Sequence, residues 1–187
     1  MPPSSPLLGH LEQSLGPART GARYAIGGDA FEIVTFAERP ARGCTTYATV
    51  GLGDHVLAQA SGSPLRQELL FAHRGAPSKD VIALVAAVAE PVLRSRRGLA
   101  HGQVLGPSGP ILSGSRMEAL YCAVPVYFDD ALHVFRGVTP PVVLVWLVPL
   151  TAREAGLVAD HGWTRLEELF QAHDPDLLDL GRAELPG

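Results

Sequence analysis

The run "PPVVLVWLVPL" at 140–150 constrains this chain more than any other stretch. Its apolar residues do not alternate with polar ones, so a strand over 142–149 is apolar on both faces. It is too short to span a bilayer, and prolines interrupt it. A central strand covered on at least one side by a helix is the reading, and such a strand needs neighbours. "AFEIVTFAE" at 30–38 supplies one: Phe31, Ile33 and Thr35 share one face, and Glu32, Val34 and Phe36 the other. "GCTTYATVGL" at 43–52 and "LRQELLFAH" at 65–73 pass the same test, and "EALYCAVPVYF" at 118–128 adds a fourth. Gly-rich stretches between the first three suit hairpins and predict an antiparallel meander.

In "PSKDVIALVAAVAEPVLRSRRG" the period changes. Val81, Leu84, Val85 and Val88 fall at helical spacing, Ser78 offers an N-cap, and Gly98 offers a stop after three arginines. Pro91 predicts a kink or break within that helix. Beyond the central strand, Thr151 with Glu154 and Thr164 with Glu167 both have the capping-box form, so two further helices are expected. Asp174-Pro175 ends the second, and the tail beyond reads as irregular. "HLEQSLG" at 10–16 suits a short helix within an otherwise loose arm over 1–22. The stretch 99–116 reads as a loop long enough to be functional. No internal repeat or linker divides the rest, so a single α+β domain over 23–187 is expected.

With 47% apolar and 18% charged residues in 187, the composition is that of a globular protein. The formal charge of -4 and the lack of a basic stripe exclude nucleic acid as an expected partner. "MPPSSPLLGH" has neither the basic nor the apolar region of a signal peptide, so a cytoplasmic location with no membrane partner is expected. Cys44 and Cys122 fit no metal or redox spacing. Their pairing stays open, although a buried free thiol is the simpler reading of Cys122 in its apolar run.

The stretch "VGLGDH" at 50–55 invites a phosphate-binding reading, but a dinucleotide fingerprint needs a third glycine and a following helix. Position 56 is Val, and no helical pattern follows. Asp54 and His55, being adjacent, point to opposite sides of an extended chain and cannot form a dyad with each other. A turn after a strand is the better reading. The seven histidines show no metal-binding spacing, and no G-x-S-x-G elbow occurs. Asp129 and Asp130 read as a solvated turn, Trp146 as core, and Trp163 as a hydrophobic staple before a helix. These residues supply no catalytic signature and imply no cofactor.

As an ordered set, "TYATVGLGDH", "LRQELLFA", "MEALYCAVPVYFDD" and "VVLVWLVPLTAREAGLVADHGWTRLEELF" resemble the Suppressor of fused domain family in its bacterial form, over about residues 30–180. In relatives Ser is expected where this chain has Gly53. The resemblance implies a central, mostly antiparallel mixed sheet with flanking helices. It also implies protein binding without catalysis. The animal member is a cytoplasmic negative regulator that binds a transcription factor as an extended peptide, and bacterial members are proposed to be immunity proteins against polymorphic toxins. Strand addition or a groove beside the sheet would serve such binding, and mild negative charge suits a basic partner. Tyr47, Asp54, His55, Asp129 and Asp130, polar or aromatic at strand ends, are the candidate contact residues. The alternative is a small enzyme or ligand-binding protein in which His55, Glu68 and Asp129 converge in a cleft. A third role, as a subunit of a larger assembly, would show as an exposed apolar patch.

Overall fold

The apolar run at 140–150 does form the middle of a sheet, hydrogen-bonded to three other strands. The computed structural model describes residues 5–19, 21–59 and 62–186. Along them run α1 (Pro6–Leu15), β1 (Gly21–Ile26), β2 (Asp29–Ala37), β3 (Cys44–Val50), β4 (Leu57–Ala58), β5 (Pro64–Arg74) and α2 (Lys79–Ser95). There follow β6 (Val104–Leu105), β7 (Ala119–Ala123), β8 (Val134–Phe135), β9 (Val142–Leu150), α3 (Ala152–His161) and α4 (Trp163–His173). Single 3-10 turns lie at Leu52–Asp54 and Asp130–Leu132. The main sheet has the order β1-β2-β3-β5-β9-β7-β6, with β4 beside β5 and β8 beside β9. Every pairing is antiparallel except β5 with β9. The expected meander is present as β2-β3-β5, and β1 extends it at the edge.

Alternation along the strands builds two cores. Phe36, Ala48, Leu70, Trp146 and Val148 face one side, with Leu11 and Leu15 of α1, Ala155 of α3 and Leu166 and Leu169 of α4. Phe31, Ile33, Tyr47, Leu69, Phe71 and Leu147 face the other, under Val81, Val85, Ala89 and Val92 of α2. Thus β9 is apolar on both faces because helices cover both, the condition for a sheet this dry. Cys44 belongs to the first core and Cys122 to the second, so the sheet separates two free thiols. Burial pushes the Cys122 thiol up to about 12.

Several elements depart from the expectations. The arm over 1–22 carries α1, whose Leu7, Leu11 and Leu15 are buried. Its i, i+4 spacing starts one turn before the expected helix. β1 begins inside that arm and is an edge strand of only partly buried residues, so its apolar alternation is faint. Residues 1–4 and Thr20 of the arm lie outside the described residues. α2 runs on through Pro91 without a break, and its left-handed cap is Arg96, not Gly98. β7 stops at Ala123, before Pro125. The capping box at Thr151 and Glu154 forms, but the one at Thr164 does not, because α4 starts at Trp163 behind Gly162.

The irregular tail is held at a buried ion pair. Arg182 donates from both terminal nitrogens to Glu154, each at 2.6 Å, and the Leu185 amide donates to the same carboxylate. One glutamate therefore caps α3 and anchors the tail that buries Leu177, Leu178 and Leu185. No helix among the described residues is long and apolar enough to cross a membrane.

Candidate protein-binding groove

The "TVGLGDH" stretch turns around a single buried carboxylate. Gly51 has φ +105°, in the left-handed region, and a Cβ there would lie 3.1 Å from the Ala30 carbonyl oxygen. Glu68 on β5, fully buried, receives the amides of Gly51 (2.9 Å) and Gly53 (2.8 Å) on Oε1 and the Thr49 hydroxyl (2.5 Å) on Oε2. Burial pushes its carboxyl up to about 7, against the pull of those three donors. Arg66 closes the turn from outside, donating to the carbonyls of Gly53 (3.0 Å) and Asp54 (2.6 Å). A Cβ at Gly53 would sit 2.9 Å from Val142 Cγ1 and 3.1 Å from Glu68 Oε1, so the serine expected in relatives needs a roomier neighbour than Val142.

A different surface opens on the α4 side of the sheet, as a groove of about 560 Å³. Tyr121 and Ala123 of β7 and Trp146 and Val148 of β9 line it, each pair two residues apart and so on one face. From α4 come Trp163, Glu167, Phe170 and Gln171, at helical spacing. Leu166 and Leu169 occupy the core face of the same helix, leaving α4 apolar on two sides. Val124, Val126 and Tyr127 rim the opening, and Asp174, Pro175 and Leu177 close its far end. Among the described residues six large apolar side chains are exposed, and four of them, Val124, Val126 (66%), Tyr127 and Trp163 (40%), line this groove. Scattered exposure needs no explanation, but this concentration makes the groove the candidate contact surface.

The polar groups in the groove meet at Glu167. Its Oε1 accepts from the Tyr121 hydroxyl (2.8 Å), and His101 Nε2 lies 3.2 Å from the same oxygen. Burial, then Glu167, raises the Tyr121 hydroxyl well above its ordinary range and keeps it a donor. The His101 ring meets Trp163 edge-on at 4.6 Å. Tyr127 packs 5.0 Å from Trp146 and donates to the Pro175 carbonyl. It also lines two neighbouring cavities, one with Arg74 and Asp176 and one with Arg39, Phe128 and Asp129, so the groove continues past it as a trench.

The residues singled out in the sequence divide accordingly. Tyr47 is wholly buried in β3, where its hydroxyl accepts from the Ser78 amide (2.7 Å) and lies 3.3 Å from His73 Nε2, so it offers no surface. Asp129 lines the trench, and Asp130 follows it, exposed. Asp54 and His55 belong to the Gly51 turn, where His55 Nε2 sits 3.9 Å from Asp29, itself paired with Arg96. The cleft imagined from His55, Glu68 and Asp129 does not assemble: Glu68 is enclosed by its donors, and the cavity lined by Asp129 contains neither of the others. Trp163 is no staple, since it lies in the first turn of α4 over Gly102 with its ring on His101. Trp146 is core, as read, and a groove wall as well. Sequence reasoning passed over the α4 face of Trp163, Glu167 and Phe170, although its i, i+4, i+7 spacing is plain. No group of three or more His, Cys, Asp or Glu side chains among the described residues is placed to hold a metal.

Comparison with known proteins gives a consistent picture. The model of the family described as Suppressor of fused protein (SUFU) matches residues 27–183. Immunity protein YqcF of Bacillus subtilis (strain 168) is 23% identical over 156 residues, covering 82% of this chain and 80% of YqcF. The crystal structure of a SUFU homologue from Neisseria gonorrhoeae FA 1090 superposes with a TM-score of 0.77 at 19% identity, over 95% of this chain and 93% of that one. A Sufu–Fu complex gives 0.70 at 15% identity, over 96% of this chain and 90% of that one. Drosophila Suppressor of Fused gives 0.70 at 16% identity, with 96% of this chain matching 50% of that one. At these identities the structural likenesses speak for the fold.

Proposed function

The chain belongs to the Suppressor of fused family, and on that premise we propose that it is a non-catalytic, cytoplasmic protein-binding module whose contact surface is the groove at Tyr127 and Trp163. The observation that carries this reading is the gathering of exposed Val124, Val126, Tyr127 and Trp163 around one apolar groove. Interfaces draw most of their energy from such aromatic anchors in desolvated pockets. The resemblance to a protein named for immunity supports a concrete form, neutralisation of a toxin by occupying it. Asp129 and Asp130 flank the trench and belong to the contact surface. Asp54 and His55 stand apart: Asp29, which His55 faces, is on β2, three strands from β9.

The test is affinity capture from the protein's own cell lysate with four baits: the unaltered chain, Trp163→Ala, Val126→Asp and Asp54→Arg. One partner held by the unaltered chain and Asp54→Arg, and lost from the other two, supports the groove. A partner lost only from Asp54→Arg moves the site to the Gly51 turn, and no specific partner removes the binding reading. Co-expression then decides the immunity form. A partner that arrests growth alone, and is tolerated beside the unaltered chain but not beside Trp163→Ala, is a toxin restrained through this groove.

A further inference from the structure

The groove, if it is a protein-binding site as proposed above, also selects the chemistry of its occupant. Five aromatic rings line it, from Tyr121, Tyr127, Trp146, Trp163 and Phe170. Besides its tyrosines, its ionisable lining consists of Glu167, Asp174 and His101, with no lysine or arginine. Among the described residues Glu167 uses only Oε1, towards Tyr121 and His101, and no cationic side chain pairs with Asp174. Of the trench's arginines, Arg74 is already matched, its Nε donating to Asp176 at 2.5 Å, and Arg39 lines the separate cavity beyond Tyr127, where it donates to the Glu38 carbonyl. Asp174 also caps α4, so the negative end of the helix dipole falls at the same end of the groove. Aromatic walls around carboxylates that no lysine or arginine pairs with form a receptor for a cation carried on an apolar stem.

We propose that this groove recognises an arginine side chain on a basic segment of the partner protein. The guanidinium meets the open oxygen of Glu167 while its stem and plane lie against the aromatic walls. A second positive charge on the segment is favoured by Asp174, about 10 Å away along α4 at 1.5 Å per residue. Arginine fits better than lysine because its flat, weakly hydrated head stacks on rings while it donates in their plane. A second copy of this chain fits worse, because each copy carries a formal charge of -4 and a two-fold contact would set acidic rims against each other.

Both tryptophans of the chain line the groove, so their emission reports its occupancy directly. The experiment titrates the whole protein with the blocked peptide acetyl-Ala-Leu-Arg-Val-Ala-amide and with its citrulline counterpart, equal in shape and uncharged. The expected result is saturable binding at least about tenfold tighter for the arginine peptide, the gap narrowing as salt screens the carboxylates. Glu167→Gln, still able to accept from Tyr121, removes the preference without changing the circular dichroism spectrum. Equal binding of the two peptides, no binding of either at millimolar concentration, or a preference that survives in Glu167→Gln overturns the inference. So does a concentration-dependent dimer that changes tryptophan emission and ignores the arginine peptide. Should Trp163→Ala lose a captured partner while arginine is not preferred, the groove remains a protein site and only its assigned chemistry falls.

Discussion

The Gly51 turn and the Tyr127 groove invert the usual reading of polar and apolar residues. The turn holds Asp, His, Glu and two close glycines, the ingredients of a catalytic or phosphate site, yet its central carboxylate is enclosed by three donors from its own chain. The groove is built mostly from residues that look like core, yet it exposes them. A buried polar group must be satisfied, and satisfying it makes it structural. An apolar group left in water has no such debt to its own fold. Its exposure lowers stability and so points to a partner.

Substitutions in the two regions should act on different quantities, stability in the turn and partner affinity in the groove. Glu68→Leu strands the Gly51 and Gly53 amides and the Thr49 hydroxyl, each at about 1–3 kcal/mol. Urea unfolding should show a large fall in midpoint, while the protein that remains folded binds its partner normally. Trp163→Ala should do the reverse: about 2 kcal/mol or more lost from partner affinity by calorimetry, with an unfolding midpoint close to that of the unaltered chain. Gly53→Ser should cost about 1–3 kcal/mol by overpacking against Val142, and adding Val142→Ala should recover most of it. If the double variant is no better than the single one, the crowding account is wrong.

Glu68 binds its proton more tightly folded, at about 7, than its ordinary 4.5. Its contribution to stability is therefore full below 4.5 and is lost as pH rises from there through about 7. Glu68→Gln keeps an acceptor for the two amides and should flatten the decline in unfolding free energy across that window. The smallest effect belongs to Val126→Ser, which should leave stability within about 0.5 kcal/mol while weakening partner binding. A marked loss of stability there would mean that the groove rim is structural after all.

Most of the sheet was legible because alternation and double-sided apolarity report burial directly, as at Phe31, Ile33 and the run ending in Leu150. β1 was not, because an edge strand buries little and its alternation is weak. "TYATVGLGDH" and "LRQELLFA" were visible as parts of one ordered set, but the contact that joins them was not. Glu68 reads as a reactive carboxylate until the fold brings the two glycine amides onto it. The groove was written in the spacing of Trp163, Glu167 and Phe170 but hidden by Leu166 and Leu169, which give the same helix an ordinary core face. A helix with two apolar faces in a domain this size has one more than the core can cover.

The parallel pairing of β5 with β9 imposes an order of assembly. β1, β2, β3 and β5 are neighbours in both sequence and sheet, with only β4 made between them, and can zip together as they are synthesised. β9 reaches β5 only after α2 and β7 have been made, and closing so long a loop slows the search. Until then β5 is a bare edge, open to mispairing with other chains. The groove needs β7, β9 and α4, so it is the last surface to exist. In refolding, tryptophan emission should therefore lag behind the far-ultraviolet signal of the meander, and a partner present from the start should capture only chains that have finished folding.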